Sequence, residues 1–122
     1  MFINFTNHPS TKWDEKQLLE AYKYGEVKDI AFPSISPMMD NQEIEKLALD
    51  YYKKIISYNP KAVLVQGEMT LCYHVVDLLK QSNIKVLCAC SKRVSKEIID
   101  SDGRTIKQSV FKFVQFREYW GE

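Results

Sequence analysis

Three apolar runs along this chain end abruptly on clusters of small polar residues. They are residues 2–6 before Asn7-His8-Pro9-Ser10, residues 62–65 before Gln66-Gly67-Glu68-Met69-Thr70, and residues 86–89 before Cys90-Ser91-Lys92-Arg93. Near-continuous aliphatic and β-branched runs are typical of strands that are buried on both faces of a parallel sheet. Because such sheets bind ligands beyond the carboxyl ends of their strands, we expect the three polar clusters to share one pocket.

The first run is followed by a predicted helix and a second strand. Ser10 or Thr11 can cap this helix, which we expect to run to about Tyr24 before the stop signal Gly25. Two acidic residues in its first turn suit the positive end of the helix dipole. A weaker strand is predicted over residues 27–32, because two charged residues interrupt its apolar pattern.

Two amphipathic helices complete an alternating pattern. Asp40 with Glu43 is a capping-box signature, and apolar residues then recur at helical spacing until residues 59–60. After the next strand, a second apolar stripe predicts a well-buried helix closed by Asn83, followed by a fourth strand over 85–90. Strands that alternate with helices predict right-handed crossovers and a Rossmann-like parallel sheet of the α/β class, in the order βαβαβαβ.

The C-terminal segment departs from that alternation and predicts an antiparallel β-hairpin over about 93–120. Its arms are residues 93–99 and 104–119, and Asp102-Gly103 between them is a strong signal for a two-residue turn. The sheet is therefore expected to be parallel in its core and antiparallel at its C-terminal edge.

Aromatic residues in the second arm raise the question of what covers the hairpin. Alternation along a strand points Phe111 and Phe113 one way and Val114 and Phe116 the other, so either a bulge lies nearby or both faces are covered. We expect a homodimer, because the hairpin offers more apolar surface than a small monomer usually exposes. The alternative is an edge strand packed under a helix of the same subunit.

Composition narrows the class of protein. The 122 residues fit one compact domain, 1–122, and a net charge of +1 argues against binding to duplex nucleic acid while leaving a small anionic ligand open. No apolar stretch approaches the roughly 20 residues of a membrane helix, and the N-terminus lacks signal-peptide features, so we expect a cytoplasmic protein without a membrane partner. Three cysteines without Cys-x-x-Cys spacing, and no glycine-rich nucleotide motif, predict neither a metal site nor a cofactor.

His8 is the strongest candidate for acid or base chemistry. It directly follows a strand, between Asn7 and Ser10, at the position a general acid or base would occupy. The alternative is a surface histidine that shapes the turn before Pro9. His74 lies inside a predicted helix and is most simply satisfied there.

The second and third polar clusters supply candidate ligand-binding residues. Gly67 lets the backbone approach a ligand closely, and the following helix offers unpaired amide groups. Glu68 would repel a phosphate there, but it could orient a ribose hydroxyl or pair with a base edge. The same features also fit a plain glycine turn with a helix-stabilising glutamate, beside ordinary solvated cations. The candidates are Gln66, Gly67, Glu68, Thr70, Ser91, Lys92 and Arg93.

The opening stretch Ile3-Asn4-Phe5-Thr6-Asn7-His8-Pro9-Ser10 resembles small standalone CRISPR-associated proteins of the ring-nuclease group. The specific part of the resemblance is Asn-Phe-(Ser/Thr)-(Asn)-His-Pro, while the Rossmann-like layout matches over most of the chain. Members of that group bind cyclic oligoadenylate, the second messenger of type III CRISPR systems, as homodimers. Several cleave it without a metal by using the ribose 2′-hydroxyl as nucleophile, and others only bind it.

The resemblance implies a metal-independent phosphodiesterase that acts on cyclic oligoadenylate, with Asn7, His8 and Ser10 carried over as catalytic residues. Such cleavage needs the 2′-hydroxyl in line with the phosphorus, a polar group to take its proton, and donors to the developing charge. Two alternatives remain open. One is a protein of the same fold that sequesters the nucleotide uncut, and the other is a small nucleoside-processing enzyme that uses Glu68 as acid or nucleophile.

Overall fold

The computed structural model describes residues 1–120 as a mixed α/β fold on one five-stranded sheet. Four strands run parallel, and the fifth pairs antiparallel with the fourth. This confirms the predicted parallel core and its hairpin extension. The spatial order is β2-β1-β3-β4-β5, with β1 (Phe2–Phe5), β2 (Val27–Asp29), β3 (Ala62–Val65), β4 (Lys85–Ile99) and β5 (Thr105–Glu118).

Helices cover both faces of the sheet. α1 (Glu15–Tyr22) packs on the face that carries Phe2 and Leu64, which we call the α1 face. α2 (Asn41–Ile56) and α3 (Met69–Gln81) pack on the opposite face. Every residue of β1 and β3 is buried, as expected for strands sandwiched between two helical layers. In residues 1–120, none of the helices has the length and apolar character needed to cross a membrane.

The first helix begins later than predicted. Ser10–Lys12 form a short 3₁₀ turn, and Asp14 rather than Ser10 or Thr11 caps α1, with its Oδ1 accepting the Gln17 N–H at 2.9 Å. Trp13, in extended backbone conformation, separates the two helical segments. The predicted cap at Asp40 is confirmed, because its carboxylate accepts the N–H three residues later at 2.9 Å.

The second strand is shorter than predicted. β2 ends at Asp29, although the chain continues beside β1 through two backbone hydrogen bonds, from Ile30 N–H to Asn4 and from Phe32 N–H to Thr6. Ile30 and Phe32 are buried against α2 and α3. Their apolar character therefore reflects core packing rather than a longer strand.

The hairpin is built from one long strand and its partner. β4 is continuous, so the predicted fourth strand and the first hairpin arm are a single element. The turn is wider than the predicted two residues: Asp100 N–H bonds to the Arg104 carbonyl, and residues 101–103 form the loop. Gly103 has φ +77°, the left-handed conformation that a three-residue hairpin loop requires.

A β-bulge decides which way the hairpin's aromatic residues face. Cys90 pairs with Gln115 and Ser91 with Phe113, so Val114 is the extra residue of β5. The bulge is one of the two predicted alternatives, and Phe116 lies on the same face as Phe113 instead of opposite it, with ring centroids 4.8 Å apart. Beyond the bulge, residues 91–111 form a two-stranded ribbon with mostly exposed side chains on both faces.

Candidate functional site

The carboxyl ends of β1 and β3 and the middle of β4, at Ala89 and Ser91, open into one cavity of about 790 Å³ on the α1 face. The chain leaves β1 toward β2 on one side and later returns to β3 on the other, so the cavity lies where the strand order switches direction. Such switch points are the usual ligand sites of open α/β sheets. The cavity lies between the turns after β1 and β3, the start of α1 and the bulged part of the hairpin.

The cavity brings together part of the residue set predicted from the sequence. Five of the ten candidate residues line it, and they come from all three polar clusters. These residues are Asn7, His8, Gln66, Gly67 and Ser91. The other candidates are Ser10, Glu68, Thr70, Lys92 and Arg93, and each has a different local environment.

Hydrogen bonds fix the backbone at His8. Asn4, only 1% exposed, donates from Nδ2 to the His8 carbonyl and to Asp29 Oδ1, each at 3.0 Å, and accepts the Thr6 hydroxyl at 2.8 Å. Trp13 Nε1 donates to the same His8 carbonyl at 3.0 Å. The His8 side chain is exposed and has no hydrogen-bond partner among residues 1–120. The turn therefore holds the main chain and leaves the imidazole free.

Ser10 anchors this turn instead of facing the cavity. Its hydroxyl and its N–H each donate to Asp29 Oδ2 at 3.1 Å. The predicted catalytic role of Ser10 is therefore not supported by its position, because its hydroxyl proton is already committed to a carboxylate outside the cavity lining.

Gln66 continues the pairing of β3 with β4 through its side chain. Its Oε1 accepts the Ala89 N–H at 2.8 Å, two residues beyond Leu64 and Leu87, the last paired residues of the two strands. The oxygen is thus occupied by the sheet. The NH₂ group of the same amide makes no side-chain hydrogen bond within residues 1–120, so Gln66, which lines the cavity, keeps a donor.

Gly67 is required by packing. A Cβ at this position would lie 2.5 Å from the Phe32 ring, which is buried and stacks against Phe5 at a centroid distance of 4.8 Å. The sequence predicts that this glycine lets a ligand approach, and the structure adds a second reason for it, the close approach of an aromatic ring from the other face.

Glu68 and Thr70 belong to the start of α3. Glu68 accepts the Thr70 hydroxyl at 2.7 and 2.8 Å, the Thr70 N–H at 3.0 Å and the Leu71 N–H at 2.9 Å. These bonds, the hydroxyl first, lower the pKa of Glu68 below its ordinary value. Two of the amide groups that we expected to be open to a ligand, those of Thr70 and Leu71, are therefore already capped.

The two cations after Ser91 point to opposite faces of the hairpin. Ser91 pairs with Phe113 and Arg93 with Phe111, so Arg93 lies on the cavity face, whereas Lys92 lies on the other. The Arg93 guanidinium is 5.5 Å from the centroid of the Phe111 ring. Arg93 is thus a neighbour of the cavity rather than part of its lining, and Lys92 is directed away from it.

Sequence reasoning missed the wall formed by α1 and the hairpin. Trp13, Gln17, Phe111 and Phe113 line the cavity, and Asp14 Oδ2 accepts the Phe113 N–H at 3.3 Å, which joins the start of α1 to the hairpin. The aromatic pattern near Val114 was the available signal, but alternation alone could not say which face the bulge would select.

A second cavity of about 400 Å³ lies behind Gln66 and Gly67 on the other face. Burial raises the pKa of Cys72 to about 11 and that of Tyr119 to about 12. The Tyr119 hydroxyl donates to the Val65 carbonyl at 2.9 Å. Both groups are therefore neutral near pH 7. Over residues 1–120, His, Cys, Asp and Glu form no group of three or more arranged to hold a metal ion.

Comparison with known proteins places the chain in a family. Residues 1–117, which include every candidate residue, match a family model described as the Uncharacterized protein MJ1673 family. No curated protein and no solved structure matches the chain. Because the family model covers nearly the whole sequence, the protein belongs to the MJ1673 family.

Proposed function

We propose that this protein is a ring nuclease, a metal-independent phosphodiesterase that binds cyclic oligoadenylate in the cavity on the α1 face and cleaves it. The observation that carries the proposal is the state of His8. Its backbone carbonyl accepts two side-chain donors, Asn4 Nδ2 and Trp13 Nε1, while its imidazole is exposed at a cavity of about 790 Å³. A general acid or base needs that combination of a fixed position and free titrating atoms.

The cavity has the groups that an oligoribonucleotide needs. Aromatic rings stack bases, and cations pair with phosphates. Phe111 and Lys12 line the cavity, and Arg93 lies beside Phe111. Asp14 is an acidic residue in the same lining, and both of its oxygens accept backbone N–H groups. Because a carboxylate repels a phosphate, we expect the phosphates nearer to Lys12.

The strand order supports the Rossmann-like assignment that accompanies this function. β2-β1-β3-β4 with helices on both faces is the order of doubly wound nucleotide-binding sheets. The hairpin is then an addition at one edge, and it supplies one wall of the cavity.

The proposed step is a displacement at phosphorus within the ligand. The ribose 2′-oxygen attacks the adjacent phosphorus, the bond to the 5′-oxygen breaks, and a 2′,3′-cyclic phosphate and a 5′-hydroxyl form. One proton leaves the 2′-hydroxyl and one reaches the 5′-oxygen, and His8 is placed to carry one of these transfers. Asn7, Ser91 and the Gln66 amide supply neutral donors to the charge that develops on the phosphorane.

The outer hairpin is the proposed contact of a homodimer. Val94 pairs with Val110 and Ile98 with Ile106 on the ribbon face opposite Phe111, and the pair of Lys96 with Gln108 lies between these two apolar pairs. An isolated two-stranded ribbon is at best marginally stable in water, so a second copy covering the two apolar pairs would stabilise it. Light scattering at micromolar protein should show a dimer that Ile98→Lys weakens. A monomer both with and without cyclic oligoadenylate would contradict the dimer.

Turnover assays decide between cleavage and the alternatives. Wild type should cleave a radiolabelled cyclic oligoadenylate, tested over several ring sizes, in excess EDTA. His8→Ala should be slower by about 10²-fold or more with less effect on binding. His74→Ala is the matched control, since the only other histidine lies on α3 away from the cavity, and it should retain wild-type rates.

Each contrary result removes a different part of the proposal. Equal rates for His8→Ala and wild type would exclude His8 from the mechanism, and inhibition by EDTA would exclude metal-free chemistry. Tight binding by wild type without product would favour a sequestering protein. An enzyme that uses Glu68 would lose activity in Glu68→Gln, which we do not expect, because both oxygens of that carboxylate cap α3.

A further inference from the structure

We infer that the cavity contains a subsite for an adenine base, in which the side-chain amide of Gln17 recognises the base edge and Phe111 stacks on its face. The inference rests on the proposed function and deepens it. It assigns base specificity to α1 and the hairpin, apart from the turn that carries His8.

Gln17 is a buried amide without a partner in the part of the chain that the structure describes. It is 6% exposed and lines the cavity, and its backbone N–H is bonded to Asp14. No side-chain hydrogen bond of Gln17 is found within residues 1–120, yet no fully enclosed side-chain nitrogen or oxygen there lacks a partner. The Gln17 amide therefore keeps its access to the cavity space. Buried polar groups are nearly always paired, so this amide is suited to a ligand.

The amide matches adenine in its hydrogen-bonding pattern. Glutamine presents one acceptor and one donor side by side, and adenine presents its N6 amino donor beside a ring-nitrogen acceptor. A base without the N6 amino group leaves the Gln17 oxygen buried and unpaired. Discrimination between bases then comes from the cost of that unpaired atom.

Phe111 is the aromatic side chain of the wall with free surface. It is 68% exposed, whereas Phe113 and Trp13 are 5% and 6% exposed. Those two rings are already packed, Phe113 on Phe116 at 4.8 Å and Trp13 on Phe2 at 6.1 Å. Phe111 also carries the Arg93 guanidinium at 5.5 Å, which brings a cation to the place where a base would stack.

Mononucleotide titrations test the subsite without requiring cleavage. The chain has two tryptophans, so Trp120→Phe leaves Trp13 in the cavity wall as the fluorescent reporter. In this background, 5′-AMP should bind more tightly than purine riboside 5′-monophosphate, which lacks only the N6 amino group, by about 5- to 150-fold. Uridine 5′-monophosphate should bind weakly as well.

Two variants separate recognition from stacking. Gln17→Met keeps the length of the side chain and should lower AMP affinity to that of purine riboside monophosphate. Because it removes an unpartnered buried amide, its melting temperature should be at least that of wild type. Phe111→Ala should weaken all three nucleotides by a similar factor of about 5- to 150-fold, since stacking tolerates any base.

The subsite is overturned if AMP shows no preference, if Gln17→Met keeps the wild-type preference, or if no mononucleotide binds at millimolar concentration. Failure of the subsite and failure of the ring nuclease give different results. Cleavage of cyclic oligoadenylate that does not depend on Gln17 would overturn the subsite alone. An adenine preference lost in Gln17→Met, without cleavage by wild type, would keep the subsite and overturn the ring nuclease.

Discussion

The turns after β1 and β3 begin alike and end differently. Both follow four-residue strands with every residue buried, and both line the same cavity. After β1, the side chains of Asn4 and Thr6 bind the backbone and leave the His8 imidazole free. After β3, Glu68 is occupied by the start of α3, and only the Gln66 amide has a donor left over. Although both residues follow a buried strand, the His8 side chain is free to contact a ligand and the Glu68 carboxylate is not.

The cause of the difference is the distance from each turn to the next helix. The first N–H groups of a helix need acceptors, and the nearest polar side chain supplies them. α3 begins at Met69, and Glu68 directly before it forms the N-cap. α1 begins only at Glu15, and Asp14 is its N-cap. The His8 side chain is therefore not used as a helix cap. In this protein the strand-end side chain stays available where the next α-helix begins several residues farther along the chain.

The largest expected effect breaks the turn after β1. Asn4→Asp would place a carboxylate, almost fully buried, beside Asp29 and remove the donor to the His8 carbonyl. We expect the free energy of unfolding to fall by about 3 to 5 kcal/mol, the usual cost of an uncompensated buried charge. Urea denaturation measures it, and cleavage should fall with the loss of the turn.

Asn7→Asp is the matched control for that substitution. It makes the same chemical change three residues later, on an exposed side chain, and should alter stability by less than about 0.5 kcal/mol. Similar losses in the two variants would show that the Asn4 hydrogen bonds do not hold the turn.

An intermediate effect is expected in the turn after β3. Gly67→Ala would press a Cβ against the Phe32 ring at 2.5 Å, and overpacking of this kind costs about 1 to 3 kcal/mol. In a Phe32→Leu background the same substitution should cost less, which a double-mutant cycle measures. Ligand affinity should be unchanged in the folded protein. An equal cost in both backgrounds would contradict packing as the reason for this glycine.

The fold was largely predictable because the buried strands have no competing pattern. Residues 62–65 are all apolar and residues 2–6 are apolar except for Asn4 and Thr6, without helical spacing, so burial of both strands on both faces is expected. The predictions were wrong where two neighbouring residues could each have formed the same local structure. Ser10 and Asp14 both suit an N-cap, and Asp14 caps α1 in the structure because Ser10 is bound to Asp29 from a neighbouring strand.

The candidate site was less predictable because it depends on contacts distant in sequence. Thr70 and Glu68 look available until the cap of α3 is seen, and Phe111 becomes part of the wall only through the bulge at Val114. Nothing in the sequence distinguishes Gln17 from the other polar residues of its helix. Only the structure shows that it turns toward the cavity.

The smallest effect concerns the carboxylate that the second turn uses as a cap. Glu68→Gln should lower stability at neutral pH by about 0.5 to 1 kcal/mol, because it weakens the cap and removes a charge from the helix start. The bonds to Thr70 and Leu71 lower the pKa of Glu68 in the folded protein, so the unfolded chain binds the proton more tightly. Its contribution is therefore present above the ordinary value of 4.5 and lost as the pH falls through the folded value.

Thermal unfolding of wild type and Glu68→Gln from neutral pH to about pH 3 measures this contribution. The gap between the two proteins should close on acidification, and its size should stay small because the carboxylate is accessible to solvent. Glu45→Gln, at an exposed position within α2, is the control and should show no gap at any pH. A difference in melting temperature that persists at about pH 3 would mean that Glu68 stabilises the turn by its shape rather than by its charge. A lower ligand affinity in Glu68→Gln would show that this residue belongs to the binding site.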